Sequence, residues 1–264
     1  MPLQTIMRRH LREGLPMNPL ESTRFGEACS PNSAPTPCAT CGSRVAGICA
    51  ALDMAGLEEI SHETRRTAVH PRDVLYHEGD SAQSVVMLMR GVAKLTRQLP
   101  DGRQQVLGFR FAGDILGFTT RRSFASDAEM LTEGQVCRIS RRDFEGMLAR
   151  FPATQRRLIE LCSQELAETQ EQLVTVGRRQ AEQRVAAFLI TLAEAARRRG
   201  LRHDVLDMPM TRAEIGDLLG LALETVSRAF TQLKKRGFVK EPGGHKVELP
   251  DIPALAALAE GDLE

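Results

Sequence analysis

TRAEIGDLLGLALETVSRAFTQLKKRGFV, from Thr211 to Val239, is the stretch that decides the fold. Thr211 followed three residues later by Glu214 is a capping box, in which each side chain satisfies a backbone N–H at a helix start. Ile215, Leu218 and Leu219 give that helix one apolar face, and Gly220 stops it at a sharp turn. A second helix is expected from about Leu223 to Lys235, with Val226, Phe230 and Leu233 inward and Glu224, Ser227 and Arg228 outward. The pair reads as a helix-turn-helix over about residues 211–236. Glu224 and Arg228 are four apart near the start of the second helix, where a major-groove reader places its base contacts. A carboxylate accepts from cytosine N4 and a guanidinium donates bidentately to guanine, so Glu224, Thr225, Ser227 and Arg228 are the candidate DNA-reading set. The plainer alternative is an i,i+4 ion pair on a solvated helix.

Working outward, GFVKEPGGHKVEL after the second helix reads as a small hairpin wing. From Arg178 to Pro250 there are 14 Lys and Arg against 9 Asp and Glu, while the rest of the chain carries 21 against 25. The excess of positive charge therefore falls where a polyanion would bind. Upstream, Ile159, Cys162, Leu166, Thr169, Leu173 and Val176 recur at spacings of 3, 4, 3, 4 and 3, a heptad seam within a helical stretch that begins after Asp143 and runs to about Arg199. A seam this narrow suits pairing with one partner helix, and a second copy of the chain is the expected partner; packing on the chain's own sheet is the alternative. Cys162 and Thr169 stand where Leu or Ile would bury more area, each forfeiting roughly 1–2 kcal/mol, so the pairing is expected to be marginal.

Between about Arg65 and Ile139, short apolar stretches alternate with turn signals such as Gly79-Asp80, Pro100-Asp101-Gly102 and Gly113-Asp114, which predicts an antiparallel roll of about eight short strands. The chain thus divides into an N-terminal arm (1–50), a sensory roll (51–150), a dimerisation helix (151–180), a winged helix-turn-helix domain (181–250) and a C-terminal tail (251–264). This is an α+β architecture with 264 residues and 42% hydrophobic content to build its cores. The longest apolar runs, Val185 to Ile190 and Ala254 to Ala259, fall far short of the roughly 18 residues of a membrane crossing, and no secretory leader opens the sequence, so no membrane partner and a cytoplasmic location are expected. No Ser/His/Asp arrangement, glycine-rich phosphate loop or paired carboxylates mark an enzyme.

In that compartment the six cysteines are reduced thiols or metal ligands. Cys38, Cys41 and Cys49 form C-x2-C-x7-C on a Pro/Ser-rich segment, where closely spaced thiolates converge on one metal centre. Three ligands leave an iron–sulfur cluster one short, and Cys137, on the last strand of the roll, is the remote candidate. Zinc and a thiol switch are the alternatives, since C-x2-C is frequent in zinc sites. Cys29 is the spare, and Cys162 belongs to the seam.

Over about residues 50–250 the sequence resembles the superfamily of the cyclic-AMP receptor protein and the fumarate-and-nitrate-reduction regulator (FNR) in its order of roll, long helix and winged helix-turn-helix. ETVSR, Glu224 to Arg228, is similar to the recognition helix of the FNR branch, and AEQRVAAFL, Ala181 to Leu189, to its interdomain segment. The resemblance implies a cyclic-nucleotide-binding-like roll and a homodimer reading palindromic DNA of the TTGAT-N4-ATCAA type. It further implies an oxygen-labile [4Fe-4S] cluster on Cys38, Cys41, Cys49 and Cys137, and mainly activation of anaerobic or microaerobic genes through RNA polymerase. No cyclic nucleotide is expected: where relatives that bind one have Gly-Glu, this chain has Gly117-Phe118, and TTRRSFASDAEML after it offers no phosphate clamp. A further departure is Ala222, where relatives often place Ser or Thr as the cap of the recognition helix.

Overall fold

The computed structural model describes Cys38, Cys41 and residues 44–178 and 180–261. A 3-10 turn, Ile48–Ala51, leads into helix α1, Met54–Glu63, whose cap Asp53 accepts from the Gly56 N–H at 2.8 Å. Eight strands follow: β1 Thr64–Val69, β2 Val74–Tyr76, β3 Ser84–Arg90, β4 Ala93–Gln98, β5 Gln104–Arg110, β6 Ile115–Leu116, β7 Asp127–Met130 and β8 Gly134–Ser140. They form two antiparallel four-stranded sheets, ordered β1-β8-β3-β6 and β2-β7-β4-β5, as the eight-strand roll reading anticipates. The period of two along β3 and β8 sorts their residues. Val86, Leu88 and Val136 face the roll interior with Leu116 and Met130, whereas Val85, Met87, Met89, Cys137 and Ile139 face outward under α1 and the segment before it.

The helical stretch that follows is three helices: α2 Arg141–Arg150, α3 Pro152–Arg178 and α4 Ala181–Arg198. The first break is at Phe151, held outside the helical region (φ −120°, ψ 85°) because the ring of Pro152 excludes an α conformation there. The second is at Gln180, which is extended (φ −69°, ψ 164°). The last part comprises β9 Val205–Asp207, helix α5 Arg212–Leu219, helix α6 Leu223–Lys235, β10 Lys240–Gly243, β11 Lys246–Glu248 and helix α7 Ile252–Glu260, with β9, β10 and β11 in one small sheet.

Residues 251–264, read from sequence as a tail, include α7. Its cap Asp251 accepts from the Ala254 N–H at 2.9 Å, and its Leu255, Leu258 and Ala259 are buried in the same core as α4 and α6. The signals were present: Asp followed by Pro253 in the first turn and a left-handed Gly261 at the end.

That core continues into the roll. Val106 and Phe109 of β5 belong to it, with the Phe109 ring 6.1 Å from that of Phe188 on α4. Around this junction Lys94 of β4 pairs with Glu214 of α5 at 3.0 Å, and the Gln105 amide donates to the Asp217 carbonyl at 2.6 Å.

Candidate functional site

The helix-turn-helix forms as its residues dictate. Both bonds of the capping box are made: Glu214 N–H to the Thr211 hydroxyl at 3.2 Å and Thr211 N–H to the Glu214 carboxylate at 2.8 Å. Gly220 ends α5 in the left-handed region (φ 64°, ψ 40°), a conformation that a residue with a Cβ adopts only under strain. Ala222 caps α6 with no side-chain hydrogen bond. Val226, Phe230 and Leu233 are buried beneath α6. Glu224, Ser227 and Arg228 are exposed on its outer face and Thr225 is half-buried. Among the described residues Glu224 and Arg228 form no ion pair; Arg228 instead donates to the Thr225 hydroxyl at 3.5 Å. The carboxylate and guanidinium thus stand side by side on an open face near the helix N-terminus, the placement that base-edge readout requires.

The candidate metal centre draws on the segment before α1 and on β8. Cys38, Cys41, Cys49 and Cys137 line one cavity of about 20 Å³, together with Leu57, Met87, Met89, Arg44 and Arg66. The register explains Cys137: it pairs with Arg66 on β1 and Met87 on β3, on the face opposite the roll interior, where α1 and the 3-10 turn cover it. Among the described residues no group of His, Cys, Asp or Glu closes to the spacing that holds a single metal ion. As a donor set Cys38, Cys41, Cys49 and Cys137 fit an iron–sulfur centre: four cysteines around an apolar cavity.

The electrostatics fit thiols that ionise only against a cation. Burial pushes the Cys49 thiol up to about 12, reinforced by Cys137, Cys38 and Cys41 and opposed weakly by Arg44. Burial also raises Cys137, against a hydrogen bond with Thr64. Arg66, which sequence reasoning missed, donates from Nη2 to the Cys38 sulfur at 3.3 Å. Its partner lies 28 residues earlier in the chain, and no periodicity marks such a contact. The loop rests on α3, whose Arg157 donates to the Ala46 carbonyl at 2.6 Å and the Gly47 carbonyl at 3.4 Å. Cys29 lies outside the described residues.

On α3 the seam faces away from the chain's own sheets. Ile159, Leu166 and Leu173 are 65%, 58% and 70% exposed, Cys162 and Thr169 are exposed, and Val176 is half-buried. Packing of this stripe on its own roll is therefore not what the fold does. Around Gly117-Phe118, a Cβ on Gly117 would meet Phe124 at 2.7 Å, the Phe124 ring stacks on that of Tyr76 at 4.0 Å, and the Phe118 ring lies 5.7 Å from that of Phe144. Among the described residues no helix is long and apolar enough to cross a membrane.

Comparison with known proteins bears on the roll and the helix-turn-helix. Residues 183–258 match the Crp-like helix-turn-helix domain family, and residues 66–151 match the cyclic nucleotide-binding domain family. The nitrogen fixation regulation protein FixK of Bradyrhizobium diazoefficiens is 36% identical over 84% of this chain and 93% of its own length. The transcriptional activator protein FnrL of Cereibacter sphaeroides is 32% identical over 85% of this chain and 92% of its own. The solved structure of FixK2 from Bradyrhizobium japonicum, 28% identical, superposes over 74% of this chain and 96% of that one with a TM-score of 0.67. These relatives are regulators rather than enzymes, and with a roll, a long helix and a winged helix-turn-helix in the same order, the chain belongs to the CRP/FNR family of transcriptional regulators.

Proposed function

We propose that this regulator is an oxygen-responsive transcriptional activator that works as a homodimer carrying one [4Fe-4S] cluster per chain on Cys38, Cys41, Cys49 and Cys137. The observation that carries the reading is the convergence of three loop cysteines and one remote strand cysteine on a single apolar cavity. When bound, the cluster supplies oxygen lability. The protein residues do the rest. The four sulfurs tie the loop to β8, and Arg157 ties the loop to α3, so loss of the tie displaces the helix that carries the seam. Pairing across Ile159, Cys162, Leu166, Thr169, Leu173 and Val176 then weakens, and the two recognition helices no longer meet half-sites about 34 Å apart. A coupling of a few kcal/mol suffices because the seam is marginal.

Glu224, Thr225, Ser227 and Arg228 read a palindromic operator of the TTGAT-N4-ATCAA type, and RNA polymerase is the partner that an activator recruits. The apolar filling around Gly117 supports a roll that has given up cyclic nucleotide. The activator names of relatives such as FnrL support the direction of control.

The test is iron analysis of three proteins purified without oxygen. The wild-type chain and Cys29→Ser are expected to hold about four irons each, and Cys137→Ser none. Full iron in Cys137→Ser overturns the ligand set, and a colourless wild-type protein overturns the cluster in favour of thiol or zinc sensing.

A further inference from the structure

Where the cysteine loop meets the body of the chain, a third element also arrives: the C-terminal end of α4, which belongs to the DNA-binding domain. Arg199 caps that end. Its guanidinium is only 12% exposed and is fully engaged. Nη2 pairs with Asp114 Oδ1 at 2.5 Å, Nε donates to the Ala112 carbonyl at 2.9 Å, and Nη1 donates back to the Ala195 carbonyl at 2.8 Å. The carbon of the guanidinium sits 5.3 Å from the centre of the Phe111 ring. All the roll partners lie in the turn between β5 and β6, and Asp114 locks that turn by accepting from the Phe111 N–H at 2.8 Å through its second oxygen.

The same turn touches the cysteine loop. Gly113 has φ +99°, and a Cβ there would stand 3.2 Å from the Gly47 nitrogen and 3.4 Å from the Ala46 Cβ. A side chain at Gly113 would crowd the loop there. Val45 completes the junction by lying 4.0 Å from where a Cβ on Gly200 would be. Cys49 is two residues beyond Gly47.

We infer that Arg199 is a positioning residue through which the state of the cysteine loop reaches the DNA-binding domain inside one chain, in addition to any effect on pairing along α3. The inference rests on the cysteine loop being the sensor. Packed backbone transmits displacement because it cannot compress. A loop that moves outward leaves Gly113, the turn that Asp114 holds shifts with it, and the buried guanidinium carries that shift to the end of α4. α4 in turn packs on α6, the helix that presents Glu224 and Arg228. A cation that merely glued two domains together would have the same contacts, so the test must separate the two roles.

The ratio of operator affinity between anaerobic and air-exposed protein does so. For the wild-type chain it is expected at about 5–150-fold, the ordinary range for coupled sites. Asp114→Asn removes the ion pair while keeping an acceptor for the Phe111 N–H, and Arg199→Ala removes the whole contact. Both are expected to keep their iron and to bring the ratio within about twofold of one once dimerisation is held constant by covalent linkage of two chains. Hydrogen exchange at residues 195–201 is a second readout: opening the cysteine loop should raise it in wild type and leave it unchanged in Asp114→Asn. Variants that weaken both affinities equally and keep the ratio show plain structural support and overturn the inference. A wild-type ratio of one, with no iron, instead overturns the sensor reading on which it rests.

Discussion

Arg228 carries the sharpest expectation about a single residue. Its head group stands on the open face of α6 beside Glu224 and is not neutralised by it, so it is available to a guanine edge. Arg228→Ala is expected to cost about 1–3 kcal/mol of operator binding and to relax selectivity at one base position, measured by binding to a panel of singly substituted operators. A uniform loss across the panel would place Arg228 on phosphate instead. At this scale the sequence was legible wherever chemistry is local: the capping box, Gly220 and the uncapped Ala222 all depend on neighbours within four residues. Arg66, Asp114 and Arg199 were not legible. Arg199 meets Asp114 across 85 positions, and a buried guanidinium looks in sequence like any surface arginine at the end of a helix.

Among the elements, α3 and α5 make separate predictions. Thr169 spends its hydroxyl on the Glu165 carbonyl one turn back, at 2.8 Å, and offers the seam only a methyl group. Thr169→Leu is expected to tighten pairing by about 1–2 kcal/mol and to shift cluster-free protein toward dimer in sedimentation equilibrium. Leu166→Glu is expected to leave monomers under all conditions; persistent dimers would show that the exposed stripe is not the pairing face.

Helix α5 depends on Glu214. Burial works against its carboxylate, but the bonds accepted from Thr211 and Lys94 outweigh that and hold it below the usual carboxylate range. Because the folded value lies below the unfolded one, its contribution is complete at neutral pH and fades as pH falls through the folded value. Glu214→Gln should therefore lower Tm at pH 7, an effect that begins to shrink only as pH falls past the unfolded carboxylate value of about 4.3, read by thermal unfolding across pH. The heptad spacing made α3 readable. The helix breaks at Phe151 and Gln180 are less so, because the apolar period runs through both, and α7 is hard to read because its apolar run, Ala254 to Ala259, is too short to show a helical period.

For the molecule as a whole, the proposed mechanism links a sulfur-lined cavity under α1 to a reading face on α6. The order of roll, helix and winged domain was visible in the sequence because each has its own period and punctuation. Their docking was not, since it depends on Val106 and Phe109 of β5 entering the core of the DNA-binding domain, and on Lys94 reaching Glu214 across 120 positions. The convergence of Cys137 with the loop cysteines is legible only in part. Spacing groups three of them, and the fourth is placed by the register of β8 against β1 and β3. The most direct test of the whole account is operator binding by one anaerobic preparation before and after exposure to air, with iron counted in each. Tight binding with about four irons per chain, falling in step with the iron as air enters, is the expected result. Unchanged binding by protein that has lost its iron, or that never held any, would contradict it.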